Sequence, residues 1–224
     1  MKKKKKGKLF TQNPNLLCAL INPQTMNYDS KKTAGLLGFV AIVQIILAII
    51  ICESLYSGYN VGQQYISDLG NWSLAGNYAA IFNASIILSG ALGIASAYFI
   101  QQAFKNRLFT SLLIIYSFCS ILIGVFAEDI SMPMHGISSL ISLICLLGAG
   151  FMTYKFVKSP LSYAPLILGG VIIVAVVLQA SGNYLGLGLG GIERLEIYPA
   201  LIWGLVFDAY LIGESSHTAS TSKA

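Results

Sequence analysis

The chain has 224 residues, of which 55% are hydrophobic and 10% charged, and its mean hydropathy is +0.71. These values exclude an ordinary soluble domain and favour a polytopic membrane protein. The net charge of +5 comes mainly from six lysines in residues 2–8. Because the positive charge lies in this short tail, we predict that the protein does not bind nucleic acid. A basic tail beside a first span is typical of a topology signal or of contact with anionic lipid.

Residues 1–33 form the predicted N-terminal tail. Their longest apolar run, residues 16–21, is too short for the apolar segment of a signal peptide and is followed by Asn22 and Pro23. The run predicts either a short interfacial helix or coil.

Six apolar stretches follow, and each has about the 20 residues that a helix needs to cross a bilayer. They cover residues 34–55, 78–100, 108–128, 137–157, 164–184 and 198–214. The sequence thus predicts an all-α bundle of six transmembrane helices over residues 34–214, with a short tail at 215–224. The four cysteines are scattered and indicate neither a disulfide framework nor a metal site, and no cofactor is predicted.

Basic residues are distributed very unevenly between the connections. Thirteen of the fourteen Lys and Arg residues lie in the two tails and in the second and fourth connections, and Arg194 is the exception. By the positive-inside rule both termini are cytoplasmic, and residues 56–77, 129–136 and 185–198 are exterior. We therefore predict a multi-pass protein of the cell membrane whose polar site, if one exists, faces outward.

The first outer connection contains the polar stretch 63–70. Ser67 or Asp68 is a predicted helix N-cap there, and a functional role for either is an equal alternative. Glu53 lies just before this connection, at the end of the first span. Asn71 begins an Asn-Trp-Ser glycosylation sequon on the predicted outer side, and the sequence does not decide whether it is modified.

The second outer connection carries Glu128, Asp129 and His135. The predicted boundaries place both acids at the C-terminal end of the third span, where the helix dipole disfavours negative charge. A bound cation, protonated His135 or Arg194 would compensate, and the alternative is that both acids reach water. Crowded acids beside a histidine are typical of a site with separated pKa values, so Asp68, Glu128, Asp129 and His135 are the candidate catalytic residues.

The third outer connection carries Glu193, Arg194 and Glu196 ahead of Pro199, which is predicted in the first turn of the last span. Arg194 has two alternative roles, an internal ion pair or a bond to a lipid phosphate. We predict that Asp68, His135 and Arg194 converge in one polar network.

Several polar side chains fall inside the predicted spans. Asp208 lies nine residues beyond Pro199, about 13 Å into the last span, and a buried acid at that depth needs a partner. Such groups serve either as interhelical hydrogen bonds or as a proton or substrate pathway. The set comprises Gln44, Asn83, Tyr116, Gln179 and Asp208.

Together these motifs resemble domain-of-unknown-function family 998, a family of archaeal and bacterial membrane proteins. The resemblance covers about residues 35–213 and rests on the segments Tyr65–Gly70, Phe82–Asn83, the acidic residues before Met132–Pro133 and His135, Gly191–Arg194, and Trp203. It implies a six-helix bundle and no established reaction. A more remote likeness in topology is to the Frag1/DRAM/Sfk1 membrane proteins, some of which are connected with lipid remodelling.

Two hypotheses for function remain after this comparison. In one, the outer ends of the helices form a site that binds or processes a lipid headgroup or another extracytoplasmic molecule. The predicted binding residues of that site are Glu53, Ser67, Asp68, Glu193, Arg194, Glu196 and Trp203. In the other, the chain is a non-catalytic accessory or scaffold subunit that partners other membrane proteins, and its charges pair among themselves.

Overall fold

The computed structural model describes the backbone of residues 23–221 and the side chains of residues 30–214. Six long helices dominate it, and no strand occurs in that part of the chain. We number them α1 (Pro23–Leu55), α2 (Ala79–Phe104), α3 (Arg107–Val125), α4 (Glu128–Met152), α5 (Ala164–Ser181) and α6 (Gly188–Thr221). Each belongs to a segment long and apolar enough to cross a membrane. The prediction of an all-α, six-helix, multi-pass membrane protein is confirmed.

Short helical turns fill two of the connections. The first outer connection contains a 3-10 turn at Ser67–Gly70, a four-residue helix at Trp72–Ala75 and a second 3-10 turn at Gly76–Tyr78. The connection between α4 and α5 contains 3-10 turns at Thr153–Lys155 and Leu161–Tyr163. The predicted interfacial segment 16–21 lies outside the described residues.

The helices pack in a ring around a central space. Helix α1 packs between α2 and α6, α2 packs on α3, α3 on α4, and α5 on α6, whereas the seam between α4 and α5 is the loosest. Hydroxyl groups hold α1 and α2 close together, since Ser89 donates to the carbonyl of Ala41 and Ser96 to that of Ala34. Such close polar contacts are typical of helix pairs in membranes.

The first outer connection folds back onto α2. The N-cap of the helix Trp72–Ala75 is Asn71, whose side chain accepts hydrogen bonds from the amides of Ser73 and Leu74. The predicted cap at Ser67 or Asp68 was therefore wrong. The Asp68 carboxylate instead accepts from the amide of Tyr65, three residues earlier. A short acidic side chain can form hydrogen bonds with backbone groups that lie before or after it in the sequence.

The acids Glu128 and Asp129 lie in a short first turn of α4, which a kink at the non-helical residue Ser131 separates from the rest of the helix, and not at the end of α3. Helix α3 ends at Val125, so only two residues separate the two helices. At a helix N-terminus the dipole stabilises negative charge, and the predicted dipole conflict does not exist. Asp129 also accepts hydrogen bonds from the amide and the hydroxyl of Ser73.

Helix α6 begins at Gly188, eleven residues before Pro199. The prediction that Pro199 lies in the first turn was wrong, and Glu193 and Glu196 lie beyond the first turn of the helix. Asp208 is twenty residues from the helix start, about 30 Å along the axis at 1.5 Å per residue. It therefore lies farther from the start of the helix than the predicted 13 Å.

Candidate functional site

All six helices line one central cavity of about 580 Å³. This volume lies within the range of small-molecule binding sites. The cavity-lining residues of α6 recur every three or four positions, which places them on one face of the helix. They are Glu193, Glu196, Ile197, Ala200, Leu201, Gly204, Phe207 and Asp208.

The end of the cavity next to the first connection brings together four of the sequence-predicted site residues. They are Ser67, His135, Glu193 and Glu196. The Glu193 carboxylate accepts a hydrogen bond from the amide of Ile66, whereas no described group donates a hydrogen bond to Glu196. This end therefore holds an acceptor with no partner.

His135 is held against the start of its own helix. Its Nδ1 lies 3.0 Å from the carbonyl oxygen of Phe126, and its Nε2 lies 3.7 Å from Oε1 of Glu128. The ring is buried and lines the cavity. Because a carbonyl oxygen only accepts, Nδ1 donates to Phe126, and Nε2 faces the Glu128 carboxylate. These two contacts hold the ring at this end of the cavity.

The opposite part of the cavity contains Asp208, which is 7% exposed. Within residues 30–214 no group donates a hydrogen bond to its carboxylate or forms an ion pair with it. Tyr116 of α3 and Gln179 of α5 also line the cavity, and the side-chain oxygen of Gln179 is buried without a hydrogen-bond partner. Buried polar atoms are seldom left in this state.

Arg194 lies behind the cavity wall and does not line it. Its guanidinium makes an ion pair with Glu53, with Nη2 2.5 Å from Oε1, and also donates to the hydroxyl of Tyr59 at 2.8 Å. Its Nη1 donates to the carbonyls of Val61, Gln64 and Gly190. We call this set of contacts the Arg194 network. The predicted internal ion pair is present, and the guanidinium has little capacity left for a lipid phosphate.

The network extends to Asp68 through the first outer connection. The Tyr59 hydroxyl donates to the carbonyl of Tyr65, whose amide donates to Asp68. Burial raises the pKa of Tyr59 to about 12. Burial also raises the pKa of Asp68, against the lowering effect of the Tyr65 amide. Asp68 and Arg194 thus belong to one network, as predicted, while His135 bonds separately to the α3–α4 connection.

Three other predicted residues, Gln44, Asn83 and Trp203, contact neighbouring parts of the bundle and lie away from the central cavity. Gln44 donates to the carbonyls of Ala41 and Ser85, and Asn83 donates to the carbonyl of Gly70. Trp203 packs against Phe207 near a smaller void, with its indole N–H buried and unpaired. None of these three side chains lines the central cavity.

Sequence reasoning missed Tyr59 and the hydroxyl groups of the cavity wall. The cavity-lining serines include Ser139 and Ser142 of α4, whose three-residue spacing on one helical face was the available signal. No group of three or more His, Cys, Asp and Glu side chains among the described residues could hold a metal ion.

The sequence profile of the family described as "Protein of unknown function (DUF998)" matches residues 39–209. The chain belongs to the DUF998 family. The resemblance predicted from the first outer connection and the Glu193–Arg194 segment is confirmed. The DUF998 match includes Asp208, Glu196 and His135, and omits the basic tail. No curated protein and no solved structure matches the chain.

Proposed function

We propose that this protein binds one amphipathic molecule in the central cavity. A hydrogen-bond-donating or cationic head group lies at Glu193 and Glu196, and the apolar chain lies among the aliphatic side chains. The observation that carries the proposal is the carboxylate of Glu196, which lines a 580 Å³ cavity and has no described partner. An acid that is partly buried within a membrane span without a partner is costly, and a ligand cation or donor reduces that cost.

The charges at the cavity wall select the class of head group. The polar side chains that line it include Glu193, Glu196, Asp208 and His135, and none of the lining residues is Lys or Arg. Arg194 is engaged by Glu53. An ammonium or hydroxyl group matches these carboxyl groups, whereas a phosphate would meet no lysine or arginine among the lining residues and only neutral donors such as serine hydroxyls.

The loose seam between α4 and α5 supports a membrane-soluble ligand. Cavity-lining residues flank it on both sides, among them Leu143 and Leu146 of α4 and Val176 of α5. An apolar chain reaches the cavity there without crossing water. The accessory-subunit hypothesis is favoured only by the charges that pair among themselves, chiefly Arg194 with Glu53.

Binding of dodecylamine to the purified protein in nanodiscs tests this function by calorimetry, with empty nanodiscs as the measure of partition. We expect saturable binding by the wild type and much weaker binding of dodecyl phosphate. Ala200→Phe fills the cavity and abolishes binding. Ala209→Phe is the matched control, because Ala209 is exposed on the same helix. Equal binding of the two head groups, or unchanged binding by Ala200→Phe, would contradict the proposal.

We also propose that the Glu196 end faces the outside of the cell membrane, because the basic residues cluster at the other end. An impermeant thiol reagent tests this in a Cys18→Ser parent, since the described cysteines are buried. We expect labelling of Ser57→Cys and none of Arg107→Cys in intact cells. The reverse pattern would overturn the orientation.

A further inference from the structure

The cavity has carboxylates at two separate positions along α6. Glu196 and Asp208 both line it, and they are twelve residues apart, which corresponds to about 18 Å along the helix axis. The α6 side chains between them that face the cavity are apolar, among them Ile197, Leu201 and Phe207. The α6 face of the cavity thus has a carboxyl group at each end and apolar side chains between them.

Among residues 30–214, no cation pairs with Asp208. The nearby lysines Lys31 and Lys158 both pair with Glu214, with N–O distances of 2.7 and 3.8 Å. The other titratable group that lines the cavity near Asp208 is Tyr116 of α3. Neither the two lysines nor Tyr116 supplies a positive charge to the Asp208 carboxyl group, which a buried carboxylate requires.

Helix α1 leaves room for the Asp208 carboxyl group. A methyl group added at Gly38 would collide with both of its carboxyl oxygens, so the glycine permits the position that the acid takes. Asp208 is 7% exposed at the cavity wall. A buried acid without a hydrogen-bond donor lowers the stability of the fold, unless a molecule in the cavity supplies the donor.

We infer that the cavity takes a long-chain molecule with a hydrogen-bond-donating group, such as an ammonium, at each end. One end binds at Glu193 and Glu196, and the other binds at Asp208. This inference rests on the proposed function and adds the second recognition point. Long-chain diamines, amino alcohols and diols have this chemistry, and single-headed amphiphiles do not.

The test compares dodecylamine with diaminododecane, which has the same chain and a second amine. Binding of each is measured by calorimetry in nanodiscs for the wild type, Asp208→Asn and Glu196→Gln. A charged hydrogen bond contributes about 1.5–3 kcal/mol, so the wild type binds the diamine about tenfold or more tighter than the monoamine. Each substitution removes one anchoring point and reduces diamine affinity to about the monoamine level.

Two further variants separate recognition from folding. Gly38→Ala displaces the Asp208 carboxyl group without changing its charge, and we expect the same loss of diamine preference. Asp68→Asn is the control, because Asp68 does not line the cavity, and its diamine affinity stays at the wild-type value. Gly38→Ala reports on Asp208 if Asp208→Asn fails to fold.

The outcomes distinguish this inference from the function on which it rests. If the wild type binds both amines equally, or if Asp208→Asn and Gly38→Ala leave the diamine preference intact, the inference is wrong and the proposed function survives. If neither amine binds, both are wrong.

Discussion

Arg194 and Asp208 lie on the same helix and are equally buried, each 7% exposed, but their surroundings are opposite. Arg194 donates five hydrogen bonds through its two terminal nitrogens, one of them to Glu53, whereas its Nε is buried without a described partner. No described group donates a hydrogen bond to Asp208. Burial alone therefore does not mark a functional charge. A satisfied charge holds the fold together, whereas an unsatisfied one indicates a partner that the chain itself does not provide.

The largest expected effect is the loss of the Arg194 network. Arg194→Ala leaves Glu53 without its partner and frees three backbone carbonyls, so we expect a loss of about 3–5 kcal/mol in the free energy of unfolding. Thermal melting in detergent measures it. Arg107→Ala, at the exposed start of α3, is the control and changes little. An Arg194→Ala protein that melts with the wild type would break the comparison.

The cavity acid has the opposite expected sign. Asp208→Asn replaces a buried carboxyl group that has no described donor by a neutral amide, so we expect the ligand-free protein to be at least as stable as the wild type. Glu53→Gln is the matched contrast, because it removes the partner of Arg194 and lowers the melting temperature. Melts of delipidated protein measure both. If Asp208→Asn also destabilises the protein, Asp208 has a structural partner and the contrast with Arg194 fails.

A smaller effect tests where α4 begins. Glu128 lies in the first turn of that helix, so Glu128→Gln loses a favourable dipole interaction of about 0.3–1 kcal/mol. The melting temperature falls slightly at low ionic strength and less at high salt. An increase in the melting temperature would mean instead that the acids lie at the C-terminal end of α3, where the helix dipole disfavours them, as the apolar pattern predicts.

The smallest effect concerns Asp68 and pH. Burial raises its pKa in the folded protein, so the folded state favours the protonated acid. Its contribution to stability is complete below the unfolded pKa and is lost as pH rises through the folded pKa. We expect Asp68→Asn to gain in melting temperature relative to the wild type as pH rises above the ordinary aspartate pKa of about 4. A difference independent of pH would show that Asp68 keeps an ordinary pKa.

The fold was predictable because six apolar segments of about 20 residues leave few alternatives to a helical bundle. The boundaries were less predictable at the polar ends. Glu128 and Asp129 directly follow an apolar stretch, so hydropathy alone places them at its end. Acidic residues are also typical of the first turn of a helix, which is where they lie. Proline is typical of the first turn of a helix, but membrane helices also tolerate internal proline, and Pro199 lies inside α6.

The division of the polar residues into network and cavity was not predictable. Glu193 and Arg194 are adjacent, and about 100° of helix rotation directs one toward the cavity and the other toward Glu53. The sequence brought Asp68 and Arg194 into one predicted network but did not identify Tyr59 as the link between them. Such details depend on how six helices rotate against one another, which hydropathy does not specify.

The most direct measurement is mass spectrometry of the protein purified from membranes in mild detergent. We expect one equivalent of an amphipathic molecule with hydrogen-bond-donating groups in the wild type and in the Ala209→Phe control, and none in Ala200→Phe. The cavity-filling variant must retain the wild-type melting behaviour for this comparison. A wild-type protein that carries no such molecule, or an Ala200→Phe protein that carries it in the same amount, would contradict the claim that the central cavity is a binding site.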